Sequence, residues 1–220
     1  MNRASRFYKS AIGKKVVMGI TGLIGIGFVI GHMAGNLLVF RGPDAINSYS
    51  HFLKSTGELL WIVRLVLIGA VIVHVIAAVQ LTLQNRAARP IGYVRRTPQV
   101  TTLASRTMRW GGVILLIFIP LHILHFTTGT IQPAGVFSAT DVFGNIIASF
   151  RIWWVALFYV IAMISLGLHL YHGAWSSLRS LGYAHPSRDP LKRQIALAVA
   201  AVLWLGFTAV PVAVFAGLIG

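Results

Sequence analysis

Residues 16–40 read VVMGITGLIGIGFVIGHMAGNLLVF, 25 positions without a Lys, Arg, Asp or Glu but with a histidine, His32, inside the run. At 1.5 Å per residue a helix of this length spans the ~30 Å hydrocarbon core of a bilayer. Four further stretches meet the same test: 59–83, 110–128, 152–178 and 195–218. Arg64 is the one charge within them, near the start of the second, where a long side chain can snorkel to the interface. Pro120 is expected to kink or loosen the third. No internal repeat or low-complexity linker divides residues 1–220, so the chain reads as one all-α domain, an integral membrane bundle of five helices.

Composition agrees. The chain is 56% hydrophobic and 10% charged, with mean hydropathy +0.77, whereas a soluble domain carries about 25% charged residues. A net charge of +15 in so apolar a chain points to membrane topology rather than to nucleic acid. The absence of cysteine excludes disulfides, thiolate-held iron–sulfur clusters, thiol catalysis and thioether-attached haem from this chain. The basic N-terminus, MNRASRFYKSAIGKK, precedes an apolar run as a signal peptide would. That run is longer than a signal's apolar core and lacks a cleavage pattern, so it reads as a retained helix.

The basic residues set the expected orientation. The segment before the first span, the loop 86–109 and the loop 179–193 carry 15 of the 19; only Arg41, Lys54, Arg64 and Arg151 fall on the other side. By the positive-inside rule the N-terminus is cytoplasmic and the C-terminus, five crossings later, is outside. On the outer side, RGPDAINSYSHFLKSTG (41–57) has the Gly-Pro-Asp start of a short interfacial helix, and 129–149 reads as a surface loop.

Histidines recur in the first four spans: His32, His74, His122 with His125, and His169 with His172. Ionisable groups inside spans face the bundle interior and mark function by default. The spans offer no carboxylate, which disfavours Mg²⁺ or Ca²⁺ and a carboxylate-based proton relay. Zinc and copper accept imidazole, but two imidazoles per iron across four helices fit two non-covalent b haems best. Depth, counted from the nearest inner-side basic residue, tests the pairing. His32 lies about 25 Å in, His122 about 20 Å, His74 about 18 Å and His169 about 15 Å. Pairing His32 with His122 and His74 with His169 leaves mismatches of only ~5 and ~3 Å. His125 and His172, each three residues beyond a partner on nearly the same helix face, are alternative ligands or contacts to a haem propionate or a quinone. Gly19, Gly22, Gly25, Gly27, Gly31 and Gly35 in the first span allow close approach of either a macrocycle or a neighbouring helix.

These residues resemble the single-chain di-haem cytochrome b anchor of succinate dehydrogenases and quinol:fumarate reductases. The likeness covers nearly the whole chain. It lies in T-G-L and G-H-M at 21–23 and 31–33, G-P-D-x-I-N-x-x-x-H-F from Gly42 to Phe52, and His74. It continues with Gly112 ten residues before His122, and with His-x3-Gly-x-aromatic at His169, Gly173 and Trp175. The resemblance implies that His32, His74, His122 and His169 are the ligands, in preference to His125 and His172. It also implies partners on the cytoplasmic side: a flavoprotein interconverting succinate and fumarate, and an iron–sulfur protein. The dicarboxylate site then lies outside this chain. It implies a quinone, menaquinone, and residence in the cytoplasmic membrane. The Arg95–Arg96 loop and Arg179 are the expected docking surface for the iron–sulfur protein. Quinone chemistry needs a proton donor beside an apolar slot; His51, Glu58 and Arg64 on the outer side, and Tyr8, Trp110 and His172 on the inner side, are the residues available. The competing readings are a di-haem cytochrome b of a formate dehydrogenase, hydrogenase or nitrate reductase, and a non-redox transporter built on buried histidines.

Overall fold

A computed structural model describes residues 2–88, 102–183, 185 and 187–220. Arg89, Arg95 and Arg96 of the expected docking loop lie outside the described residues. The described chain is helical with no strand. Its helices are α1 (Arg3–Lys9), α2 (Ala11–Asn36), α3 (Pro43–Ser55), α4 (Glu58–Ala87), α5 (Leu103–Phe126), α6 (Val142–Phe150), α7 (Trp153–Ser180) and α8 (Asp189–Phe215), with a 3₁₀ turn at Leu37–Arg41 after α2. Five of them, α2, α4, α5, α7 and α8, are long and apolar enough to cross a bilayer. Their outward faces are apolar: Leu65 is 64% exposed and Leu83 57%. A soluble protein rarely displays such continuous apolar surface, whereas lipid accepts it. The chain is a multi-pass membrane protein.

The helices outrun the apolar stretches at one end. α2 begins at Ala11, taking in Lys14 and Lys15, because Ser10 Oγ accepts from the Gly13 amide at 2.9 Å and sets the N-cap there. α5 begins at Leu103, where Thr102 and Ser105 form a reciprocal capping box. α8 begins at Asp189 with Pro190 in its first turn. Bilayer thickness limits the apolar length, whereas caps limit the helix. At the other end α5 stops at Phe126 and α8 at Phe215, short of 128 and 218, before glycines at positive φ: Gly129 at 66° and Gly217 at 70°.

Gly42 (φ 93°) opens α3 as expected, with Pro43 in the first turn. The segment 129–149 is not all loop: VFGNIIASF forms α6, with Ile146, Ile147 and Phe150 buried. Asp141 caps it, accepting from the Gly144 amide at 2.9 Å and from Asn47 Nδ2 at 3.0 Å. These two donors hold the exposed Asp141 carboxyl below the usual carboxylate range, the backbone amide contributing most. Lys54 Nζ donates to the Ala139 carbonyl and adds a second tie across the same surface.

α2 and α7 form the centre. α2 packs on α4, α7 and α8, and α7 packs on α2, α5 and α8. Gly19 lets α2 approach the Ser177 backbone of α7, and Gly167 lets α7 approach Trp204 of α8. The largest buried cluster lies at the end holding α3 and α6, around Val39, Ile46, Phe118, Phe150 and Tyr159.

Candidate cofactor site

The depth comparison pairs His32 with His122 and His74 with His169, and in the fold the two rings of each pair lie opposite one another, edge-on in the first and tilted in the second. His32 on α2 and His122 on α5 have ring centroids 5.8 Å apart. His74 on α4 and His169 on α7 are 6.1 Å apart. Neither pair joins helices that are principal packing neighbours, since α5 leans on α7 and α4 on α2. The rings therefore reach towards each other across interior space.

Donor chemistry and geometry test what these pairs could hold. A metal–imidazole bond of about 2.0 Å on each side, with each ring nitrogen ~1 Å from its centroid, sets two ligating rings ~6 Å apart. Both pairs fit that spacing. Among the described residues no three His, Asp or Glu side chains converge on a metal position, so a tetrahedral zinc site finds too few ligands here. Two neutral nitrogens per site suit an ion whose remaining positions are already filled, as iron is in a porphyrin.

The surroundings are shaped for something bulky. Cβ atoms built on the part-buried Gly25 of α2 and Gly173 of α7 would meet nothing within 4 Å. At Gly22 a Cβ would sit 3.5 Å from His74 Cε1, and at Gly112 4.0 Å from His169 Cε1. The first-span glycines thus divide: Gly19 and Gly35 serve packing, the latter under Tyr49, while Gly25 lies on the face that carries Thr21 and His32. An apolar cleft of about 160 Å³ opens beside His169 between α5 and α7, bordered by Trp110, Gly111, Ile114, Ser165 and Leu168. His169 Nδ1 is buried without a hydrogen-bond partner among the described residues.

Thr21 fixes the tautomer of His74. Its hydroxyl donates back to the Val17 carbonyl at 2.8 Å, so Oγ1 meets His74 Nδ1, 3.0 Å away, as an acceptor. Nδ1 then carries the proton and Nε2 keeps its lone pair. Phe28 stacks on His32 at 5.2 Å and Phe118 on His122 at 5.5 Å, holding that pair in an aromatic wall.

His125 differs from its neighbour. Both of its nitrogens are engaged, Nδ1 with Tyr159 Oη at 3.0 Å and Nε2 with Ser149 Oγ at 2.9 Å. His172 sits edge-on to Trp175, with Nδ1 buried and, among the described residues, without a hydrogen-bond partner. Arg179 and Arg193 lie over the Trp175 ring at 5.3 and 4.5 Å, and Arg179 pairs with Asp189 at 3.8 Å. On the opposite side His51 and Glu58 are exposed and Arg64 lies over Trp61 at 5.0 Å; among the described residues no ion pair joins these three. Tyr8 donates to Gln80 Oε1 at 3.0 Å, tying α1 to α4, and Trp110 is 76% exposed. Neither Tyr159 nor Ser149 is among the candidate site residues of the sequence. A phenol inside an apolar span, which needs a hydrogen-bond partner when buried, was the available signal.

The fold and site define a five-span helical membrane protein with two facing imidazole pairs in its interior. A curated succinate dehydrogenase cytochrome b558 subunit from Bacillus subtilis (strain 168) is 28% identical to this chain over 160 residues, which cover 71% of this chain and 73% of that protein. No protein-family model matches the chain, and no solved structure does.

Proposed function

We propose that this chain is the cytochrome b membrane subunit of a succinate:quinone oxidoreductase, holding two b haems and linking a cytoplasmic iron–sulfur protein to membrane quinone. The observation that carries the proposal is the two facing imidazole pairs, His32 with His122 and His74 with His169, on four helices of a chain without thiolates or intramembrane carboxylates. The similarity to a succinate dehydrogenase cytochrome b558 subunit favours this class over other quinone-linked cytochromes and over a transporter.

Haem b, when bound, supplies a one-electron redox centre at each pair. The chain's own residues do the rest. His32, His74, His122 and His169 donate one nitrogen each. Thr21 presents His74 in the tautomer with a free Nε2. Phe28, Phe118 and Phe207 pack around His32 and His122 and exclude water from that pair. Gly22, Gly25 and Gly112 keep side chains out of the interior beside the rings. The N-terminus faces the cytoplasm and the C-terminus the outside of the cytoplasmic membrane, so Arg179, Arg188 and Arg193 present positive charge to the iron–sulfur and flavoprotein subunits, which carry the dicarboxylate chemistry. Menaquinone is the proposed quinone.

Affinity purification through a C-terminal tag tests this reading. The chain should bring down a flavoprotein and an iron–sulfur protein with succinate:quinone reductase activity. Co-purification with a molybdenum- or nickel-containing partner instead would assign it to another complex.

A further inference from the structure

A chain of hydrogen bonds leaves the His32–His122 pair and crosses to α6. His122 Nδ1 lies 3.4 Å from Tyr159 Oη, Tyr159 Oη 3.0 Å from His125 Nδ1, and His125 Nε2 2.9 Å from Ser149 Oγ. All three groups beyond His122 are buried: Tyr159 and His125 at 7% exposure and Ser149 at 4%. Phe118, Phe126, Phe150 and Phe158 surround the phenol at centroid distances of 4.9–5.8 Å. This aromatic box leaves the hydroxyl with the two imidazoles as its only described partners. In so dry a setting each bond polarises the next.

The chain can run in two directions. In one, Ser149 donates to His125, His125 to Tyr159, and Tyr159 to His122 Nδ1; His122 Nε2 then carries the proton and cannot ligate. In the other, His122 Nδ1–H donates to Tyr159 Oη, Tyr159 O–H donates to His125 Nδ1, and His125 Nε2–H donates to Ser149 Oγ. Each of the three bonds then has one donor and one acceptor, and His122 Nε2 is left with its lone pair. Only the second direction is compatible with a metal at that nitrogen.

We infer that Tyr159, backed by His125 and Ser149, is a positioning residue that fixes His122 as the Nδ1–H tautomer and sets the redox potential of the His32–His122 centre. The inference rests on the proposed role of His122 as a haem ligand. An acceptor on the far nitrogen makes an imidazole a stronger electron donor. The ferric state gains more from such a donor than the ferrous state. Tyr159→Phe removes the acceptor while keeping the ring in its box. At a fixed potential it should move the ferric/ferrous ratio of this centre about three- to tenfold towards ferrous, the range of one hydrogen bond, which is ~30–60 mV upward at 59 mV per decade. The weaker donor also lowers the energy of the near-infrared charge-transfer band of the ferric centre, moving it to longer wavelength. His125→Ala leaves the Tyr159 oxygen in place but removes its acceptor, so the shift should keep its sign and fall to about twofold, ~20 mV.

The experiment is a redox titration of the purified complex for wild type and both variants, resolving two haem components, with near-infrared spectra of the oxidised forms. The His74–His169 component is the internal control. One component shifting upward with a red-shifted band, in the order Tyr159→Phe above His125→Ala, supports the inference. Unmoved potentials and bands, or equal shifts in both components, overturn it. If Tyr159→Phe fails to assemble, His125→Ala alone decides by the same criteria. A wild-type preparation without two haem components refutes the proposed function instead, so the two failures are distinct.

Discussion

Substituting Gly25 by leucine separates an interior shaped for a macrocycle from one that is merely loosely packed. Gly25 lies seven residues before His32, within ~20° of it on the helix wheel, and four after Thr21, whose hydroxyl holds His74. It therefore sits between the two imidazole levels, ~6 Å along the axis from Thr21 and ~10 Å from His32. A Cβ there meets no atom within 4 Å. In the protein alone the substitution should be harmless or stabilising, because glycine costs a helix interior about 0.8–1.0 kcal/mol relative to a good helix former. With a haem in the space, four added carbons overpack it, at a cost of about 1–3 kcal/mol. That corresponds to haem release faster by about 5- to 150-fold. Gly27→Leu is the control: Gly27 is also free of neighbours within 4 Å but is exposed, ~140° round the helix from His32. Haem transfer to excess apomyoglobin, followed in the Soret band, gives the release rates. Gly25→Leu should release haem faster and Gly27→Leu should match wild type. Equal rates for all three would refute the reasoning that this face of α2 borders the cofactor.

Other outcomes follow from the same geometry. His169→Ala and His122→Ala should each remove one low-spin component in a redox titration, whereas His172→Ala and His125→Ala should retain both; for His125 the reason is that neither ring nitrogen is free. Thr21→Val removes the acceptor from His74 Nδ1–H and should raise the potential of the His74–His169 centre by ~30–60 mV, leaving the other in place. A reporter fused after Gly220 should report the outer side, and one in the 86–106 loop the cytoplasm; a cytoplasmic C-terminus refutes the five-span orientation. The Asp141 carboxyl has a depressed pKa in the fold, so its tie between α3 and α6 is fully present above the ordinary carboxylate value near ~3.9 and is lost as the pH falls through the lower folded value. The protection of the Gly144 amide, its exchange relative to an unfolded amide at the same pH, should fall over that window in wild type, and Asp141→Asn should flatten the dependence.

The five spans are legible because lipid imposes one simple requirement on each: an uninterrupted apolar run. The facing of His32 with His122 and of His74 with His169 is foreshadowed by depth, since imidazoles at one level of the bundle interior have few other partners. The ends of the helices are less legible, because Ser10 and Thr102 extend α2 and α5 through residues that belong to the interface rather than the hydrocarbon. α6 is hidden because nine residues are too few for periodicity to stand out, and its burial depends on packing against α3, α7 and α8. The His122–Tyr159–His125–Ser149 chain is hidden for another reason. Ser149 is 24 residues from His125 and Tyr159 is 34 away, and although a phenol in an apolar span signals a need for a partner, nothing in the segment says which group supplies it. Only the fold of α5 against α7, with α6 closing the end, brings them to hydrogen-bonding distance.

On the proposed function the two imidazole pairs hold one haem each. Pyridine haemochrome analysis of the purified chain, normalised to protein by quantitative amino-acid analysis, tests it most directly. Two b haems per chain, falling to one in His122→Ala and to one in His169→Ala, is the predicted result. One haem or none in the wild-type chain contradicts it.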